Sequence, residues 1–152
     1  MDNELDDLYQ QVILDHNKNP RNFGSIPIKT HSLKGHNPLC GDLITINLLI
    51  ENDVIKDISF EGNGCAISKA SASIMTTLVK GKTVQEAMEI FDQFHELITS
   101  DMDEEIDTEN LGKIAVFAGV KQYPSRIKCA NLAWHTLKNA IENKNSVVTT
   151  DK

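Results

Sequence analysis

Three cysteines and one carboxylate are the residues of this chain whose types and positions favour metal or sulfur chemistry. Cys40 and Asp42 lie two positions apart in segment 35–42, whose sequence is GHNPLCGD. In extended backbone, positions two apart point to the same side, so Cys40 and Asp42 can face one target. A thiolate and a carboxylate on one side of a loop suggest half of a metal site. The other half would have to come from Cys65 and Cys129, which are the remaining cysteines.

The expected settings of Cys65 and Cys129 suit thiolate chemistry. Segment 62–64 (GNG) ends a strand immediately before Cys65, and helical apolar spacing follows it, so Cys65 is expected at a helix N-terminus. Unpaired backbone N–H groups and the helix dipole favour the thiolate there. Cys129 is expected near the first turns of the last helix, one position off its buried face. Arg126 precedes it by three residues and is expected over the same surface.

Together, Cys40, Asp42, Cys65 and Cys129 could form a four-ligand set of tetrahedral character. Sulfur ligands favour zinc, and zinc tolerates an oxygen ligand. On the residues alone, two alternatives stay open: some cysteines could be small buried hydrophobic residues, and His36 could replace Asp42. The other histidines lack a cysteine or acidic partner at a suggestive spacing, which favours packing or solvated roles for them: His16, His31, His95 and His135.

The elements that must position these residues form a small antiparallel sheet covered by helices. Alternating apolar residues predict strands over 44–50 and 54–61, and the turn at 51–53 joins them into a hairpin. One short strand is expected within the stretch 25–34. Helical spacing and a capping box at 83–86 predict the helices. These are expected over 3–17, from Cys65 to about 80, from 83 onward, over 111–120 as a short helix, and from 125 onward.

Length and composition predict one α+β domain. The chain has 152 residues, of which 40% are apolar, and no internal repeat or linker divides it. The domain is expected over 1–145, and the polar segment 146–152 is expected to fray. Segment 101–109 contains six carboxylates with little apolar periodicity, so it is expected to be a solvated loop rather than a metal site.

Charge and apolar content exclude two classes of partner. A formal net charge of -7 argues against nucleic-acid binding, which requires a basic face. The N-terminus lacks the pattern of a signal peptide, and no apolar run is long enough to span a membrane. We therefore expect a cytoplasmic protein without a membrane partner. In that reducing compartment, cysteines more often bind metal or catalyse reactions than form disulfides.

Four motifs, in this order, resemble the IscU/NifU-like iron-sulfur assembly family, and most closely its SufU branch. They are NPRNFG at 19–24, NPLCGD at 37–42, GNGCAISKASAS at 62–73 and RIKCANLAW at 126–134. The classical scaffold branch usually has a histidine directly before its third cysteine, whereas this chain has Lys128. The connection from Gly81 to Cys129 also looks longer than in that branch. Both departures favour the SufU branch.

This resemblance implies the IscU/NifU N-terminal-like fold and a function in sulfur transfer. Proteins of the SufU branch are viewed as zinc-dependent sulfur acceptors for a cysteine desulfurase. The expected ligands of Zn²⁺ are then Cys40, Asp42, Cys65 and Cys129, and the expected partners are a SufS-type cysteine desulfurase and a downstream iron-sulfur assembly scaffold. The alternatives are a scaffold that builds a transient [2Fe-2S] cluster on the same ligands and a zinc-stabilised interaction module without transfer chemistry.

Within that function, Cys40 is the expected sulfur acceptor. It lies on a loop flanked by Pro38 and Gly41, and loop backbone moves at lower energetic cost than a packed helix. Asp42 is expected to tune the metal, since it is a hard donor among soft thiolates. Arg126 could steer an anionic persulfide or a partner carboxylate; the alternative is an ordinary exposed helix arginine.

Overall fold

The computed structural model describes residues 3–38, 41–100, 112–142 and 148–149. Within them, a sheet is covered by helices, which confirms the predicted α+β fold and single domain. The elements in chain order are helix α1 (Asn3–Lys18), strands β1 (His31–Asn37), β2 (Asp42–Glu51) and β3 (Val54–Asn63), helices α2 (Ala66–Val79) and α3 (Val84–Thr99), a 3₁₀ helix (Gly112–Gln122), helix α4 (Pro124–Ile141) and strand β4 (Val148–Thr149).

The sheet has the strand order β3-β2-β1-β4, and its three long strands are antiparallel. The predicted hairpin is confirmed as β2 and β3, and Asn52 and Asp53 take positive φ in the turn between them. Strand β1 is longer than the expected strand and extends to Asn37, which pairs with Asp42 at the start of β2. The end of β1 and the start of β2 are therefore direct neighbours in the sheet.

The core lies between the inner face of the sheet and the helices. Alternate residues of β2 point inward, as the predicted pattern requires: Ile44, Ile46 and Leu48 are almost fully buried. Trp134 on α4 is completely buried and stacks on Phe94 of α3, with ring centroids 4.4 Å apart. Burial of such large aromatic surfaces makes this contact a main attachment between the two helices.

Helix α3 begins at the predicted capping box. The Thr83 hydroxyl accepts a hydrogen bond from the Glu86 backbone N–H, and the Glu86 carboxylate accepts one from the Thr83 N–H, both at 3.0 Å. This pair satisfies two backbone donors that would otherwise lack partners at the helix start. The bond from the Thr83 backbone N–H, and after it an interaction with the Thr83 side chain, lower the pKa of the Glu86 carboxyl below its ordinary value.

The structure differs from the sequence-based expectation for the short helix of the last third of the chain, and it describes one further strand. The short helix expected over 111–120 is a 3₁₀ helix and continues to Gln122. In the segment expected to fray, Val148 and Thr149 form a strand parallel to Gly35 and His36. The backbone N–H and C=O groups at the edge of β1 favour such pairing. The acidic segment 101–109 lies outside the described residues, and the domain boundary at 145 stays a prediction.

Helix α4 lies very close to β1. A Cβ atom on Gly35 would collide with the Thr136 hydroxyl and would lie 3.0 Å from Leu132 Cδ1, so glycine permits this approach. Because Cys129 lies on α4, the same approach sets its distance from the start of β2. Among the helices of the described ranges, none combines the length and apolar character needed to cross a bilayer.

Candidate metal centre

The candidate metal centre is built from three elements that meet at one end of the sheet. Asp42 is the first residue of β2, Cys65 immediately precedes α2 as its N-cap, and Cys129 lies in the second turn of α4. One ligand atom from each of these residues lies within 4.8 Å of the other two. Three of the four predicted ligands are therefore neighbours, although far apart in sequence.

Asp42 is fully buried, and both of its carboxylate oxygens face Cys65. Oδ1 accepts a hydrogen bond from the Cys65 backbone N–H at 2.7 Å, while Oδ2 lies 3.7 Å from the Cys65 sulfur. A buried carboxylate needs such partners because an uncompensated charge is costly away from water. The first bond also satisfies a backbone donor at the start of α2, so Asp42 links the sheet to this helix.

Cys65 confirms the expected placement at a helix N-terminus. Its backbone is extended, and its sulfur accepts a hydrogen bond from the Ser68 backbone N–H at 3.4 Å. The sulfur thus takes the position that a serine or aspartate oxygen occupies in common N-caps. Its side chain is partly accessible, whereas Cys129 is buried.

Cys129 differs from the expectation in its burial. The sequence pattern placed it one position off the buried face of α4, but it is only 4% exposed because the face of α4 that meets the sheet is broader than the apolar stripe. Its sulfur accepts a hydrogen bond from the Asn37 side-chain amide at 3.8 Å. This contact ties the end of β1 to α4.

Asn37 is a site residue that the sequence reasoning missed. It is completely buried and follows Leu33 and Gly35 on the inner face of β1. That period of two was the available signal, because an asparagine on a buried strand face needs a polar partner. The same period directs the neighbouring His36 to the opposite face, and the cluster of ligand atoms contains Asp42 rather than His36.

Cys40 lies outside the described residues, so its place at the centre stays a prediction. The structure does describe both ends of its loop: Asn37 and Asp42 are directly paired, and both contact the cysteines of the cluster.

Arg126 is exposed, and its guanidinium lies over the Tyr123 ring, 4.4 Å from the ring centroid. Arg126 also lines a cleft of about 360 Å³ together with Ala66 and Ile67, the residues that follow Cys65. A positive side chain therefore borders an opening next to the cysteine, on a chain with a net charge of -7. Its predicted role toward an anionic sulfur group stays a prediction.

The donor set fits a zinc ion. Two cysteine sulfurs and one carboxylate oxygen are zinc ligands in proteins, and thiolates favour zinc over magnesium or calcium. The hydrogen bonds to both sulfurs and to Asp42 are the kind of outer contacts that orient metal ligands. The group is thus a possible Asp-Cys-Cys metal site that a fourth ligand would complete.

Comparisons with known proteins show the family to which this chain is related. The model of the NifU-like N terminal domain matches residues 8–130. The chain is 42% identical, over 90% of its length and 91% of the relative, to a Bacillus subtilis protein named zinc-dependent sulfurtransferase SufU. It is 41% identical, over 91% of its length and 86% of the relative, to a Streptococcus pyogenes protein named iron-sulfur cluster assembly scaffold protein IscU.

A solved structure shows the same fold at low sequence identity. The N-terminal part of a NifU-like protein from Brucella abortus superposes with a TM-score of 0.78 at 24% identity, covering 91% of this chain and 94% of that one. Sequence and fold lead to one assignment: the chain belongs to the NifU-like N-terminal domain family of iron-sulfur cluster assembly proteins.

Proposed function

We propose that this protein is a zinc-dependent sulfurtransferase that accepts persulfide sulfur from a cysteine desulfurase for iron-sulfur cluster assembly in the cytoplasm. The observation that carries the proposal is the convergence of Asp42, Cys65 and Cys129, with ligand atoms within 4.8 Å, at the base of the loop that contains Cys40. The 42% identity to a relative named as a zinc-dependent sulfurtransferase supports it.

The four ligands of the proposed zinc are Cys40, Asp42, Cys65 and Cys129. When bound, zinc keeps the thiolates deprotonated and shields them from oxidation. Asp42 orients Cys65 through its bond to the backbone N–H, and Asn37 orients Cys129 through its bond to the sulfur. These three fixed positions leave Cys40, on its loop, as the ligand that can leave at the lowest cost in structure.

Sulfur transfer requires a thiolate that attacks a persulfide. In the proposed step, the Cys40 thiolate attacks the terminal sulfur of the desulfurase persulfide, and a new sulfur–sulfur bond forms on Cys40. The original sulfur–sulfur bond breaks, and the desulfurase cysteine leaves as a thiolate. The terminal sulfur and its proton are now on Cys40, so the exchange needs no external oxidant or reductant.

The proposed donor is a SufS-type cysteine desulfurase, and the proposed recipient is a downstream iron-sulfur assembly scaffold. Arg126 borders the cleft beside Cys65 and offers a positive charge to an approaching persulfide or carboxylate. Charge at such a rim acts mainly on the rate of encounter between partners.

One competing function has a specific observation in its favour. The Streptococcus pyogenes relative, at 41% identity, is named as a cluster assembly scaffold, and the same ligands could hold a [2Fe-2S] cluster. Anaerobic purification followed by iron and sulfide addition separates the two functions. Retained zinc without a visible charge-transfer band supports sulfur transfer, whereas a stable coloured cluster supports the scaffold.

The decisive test of transfer is peptide mass mapping after a brief reaction with desulfurase and cysteine. We expect persulfide on Cys40 and faster cysteine turnover than with desulfurase alone. The Cys40→Ser variant should bind the desulfurase but give no stimulation. Persulfide first on Cys65 or Cys129, or full stimulation by Cys40→Ser, would contradict the assignment of Cys40. Absence of persulfide from every cysteine would favour a zinc-stabilised interaction module.

A further inference from the structure

Ser68 lies beside the candidate metal centre and is not one of its predicted ligands. It is the third residue of α2 and is completely buried. Its backbone N–H donates to the Cys65 sulfur at 3.4 Å. The Ser68 backbone therefore already forms a hydrogen bond with one residue of the cluster.

The hydroxyl of Ser68 has no hydrogen-bond partner among the described residues. Other buried hydroxyls of α2 are paired: Ser71 donates to the Ala130 carbonyl at 2.7 Å, and Thr76 donates to the Ser73 carbonyl at 2.7 Å. Buried polar atoms in folded proteins nearly always have partners, so an unpaired one at a site points to a missing acceptor. Among these buried hydroxyl residues of α2, Ser68 is the one that lies beside the metal-ligand cluster.

The surroundings of Ser68 show which acceptor it can reach. A Cβ atom built on Gly64 would lie 3.3 Å from Ser68 Cβ and 2.9 Å from Asp42 Oδ1, so the serine and the carboxylate flank the same glycine. The Cys65 sulfur is 3.4 Å from the Ser68 nitrogen, and the hydroxyl oxygen is three bonds from that nitrogen. Rotation about χ1 of the serine therefore moves the hydroxyl toward or away from this sulfur.

Metal binding by Cys65 gives the hydroxyl a strong acceptor. The Cys65 sulfur lies 3.7 Å from Asp42 Oδ2 and acts as a weak donor toward that oxygen. A neutral thiol is also a weak acceptor. As a thiolate that binds a metal ion, the sulfur has no proton and accepts hydrogen bonds strongly, because bonds to ionised groups are shorter and stronger than neutral ones.

We propose that Ser68 is a positioning residue of the metal centre: its hydroxyl turns onto the Cys65 sulfur when this sulfur binds zinc and, with the Ser68 backbone N–H, orients it as a ligand. This role rests on the proposed zinc centre. It slows zinc release, because two donors from one residue hold the sulfur in the direction of the metal. In the metal-free protein, the hydroxyl contributes nothing to stability.

The test compares Ser68→Ala with the matched control Ser71→Ala, three residues along the same helix. Zinc-loaded proteins are mixed with a chromogenic chelator, and the metal-free proteins are melted separately. Ser68→Ala should release zinc about 10-fold faster than wild type, while its metal-free melting temperature stays equal or rises. Ser71→Ala should melt lower, because it removes the partner of Trp134 Nε1, and should release zinc at the wild-type rate.

Two results would overturn the role of Ser68 alone: a wild-type rate of zinc release from Ser68→Ala, or a loss of metal-free stability as large as that of Ser71→Ala. The second would mean that the hydroxyl is part of the folded packing. A wild-type protein that retains no zinc after purification would overturn the metal centre and the role of Ser68 together. The wild-type measurement therefore separates failure of the centre from failure of this residue.

Discussion

Asp42 combines two functions that are usually assigned to different residues. Its Oδ1 accepts the Cys65 N–H at the start of α2, and the same carboxylate is the one oxygen donor of the three-residue cluster. Capping bonds of this kind contribute about 0.5–2 kcal/mol to folding stability. The two functions can be separated, because the capping bond needs an acceptor oxygen and zinc favours a negative charge.

Substitution of Asp42 by Asn and by Ala should separate its capping of α2 from its role as a zinc ligand. Asp42→Asn keeps an acceptor for the Cys65 N–H and removes the charge, so zinc affinity should fall by about 10-fold or more with little loss of stability. Asp42→Ala should lose both zinc affinity and about 1–3 kcal/mol of unfolding free energy. Chelator competition and chemical unfolding measure the two quantities.

Asp57→Asn is the matched control, since Asp57 pairs with Lys80 at 3.4 Å and its side chain is 34% exposed. We expect it to change neither quantity measurably, because exposed ion pairs contribute little. If Asp42→Asn and Asp42→Ala both retain wild-type zinc affinity, then Asp42 is not a ligand and water takes that position instead.

At the scale of elements, α1 is attached to α2 through a buried histidine. His16 Nδ1 and Ser73 Oγ are 2.7 Å apart, and the Arg21 backbone N–H donates to the same hydroxyl at 2.8 Å. The pKa of His16 lies below its ordinary value, first because burial disfavours the imidazolium and second because of the nearby Arg21 charge. Asp15 acts in the opposite direction, and Lys113 adds to the lowering.

This attachment should weaken in mild acid. Unfolded histidine titrates near pH 6.5, and below that value the unfolded chain binds a proton that folded His16 resists. The contribution of His16 to stability is therefore fully present above about pH 6.5. It falls as the pH drops below that value, and the fall ends at the lower pKa of folded His16. Thermal melting of wild type between pH 8 and 5 should show this loss.

His16→Gln should reduce the dependence of melting temperature on pH, because glutamine does not titrate. His135 contributes in the same direction: burial, then His95 and Lys138, lower its pKa. His135→Gln is therefore expected to remove a further part of the dependence of melting temperature on pH. Wild-type pH dependence in both variants would show that neither histidine is the cause.

At the scale of the whole molecule, Gly35 sets how closely α4 lies against the sheet and therefore where Cys129 lies. Gly35→Ala introduces a Cβ atom against Thr136 and Leu132, and overpacking of this kind costs about 1–3 kcal/mol. We expect lower unfolding free energy and weaker zinc binding together, since the Cys129 sulfur moves with its helix. Gly119→Ala is the control, because a Cβ atom there has no neighbour within 4 Å. If Gly35→Ala is destabilised but binds zinc with wild-type affinity, then the packing of α4 does not determine the affinity of the metal centre.

The parts predicted well from sequence are those that depend on local patterns. Alternating apolar residues identified the β2–β3 hairpin, and the glycines before Cys65 identified the start of α2. The convergence of Asp42, Cys65 and Cys129 followed from residue chemistry and resemblance rather than from spacing. Local patterns could not show it, because three elements far apart in sequence create it.

The parts that sequence did not reveal depend on contacts between elements. The burial of Cys129 depends on the close approach of α4 to β1, and the contact of Asn37 with its sulfur depends on the same approach. The pairing of Val148 and Thr149 with β1 required an open strand edge that the short-range pattern around 146–152 does not contain. Each of these features belongs to the assembled molecule.

The origin of the cluster in β2, α2 and α4 also has a consequence during biosynthesis. The chain leaves the ribosome from its N-terminus, so Asp42 and Cys65 emerge well before Cys129. At about 5–20 residues per second, the intervening stretch takes on the order of several seconds to appear. During that interval the nascent protein exposes cysteines that lack their last sulfur neighbour, and oxidants or the wrong metal have their easiest access to them before α4 is complete.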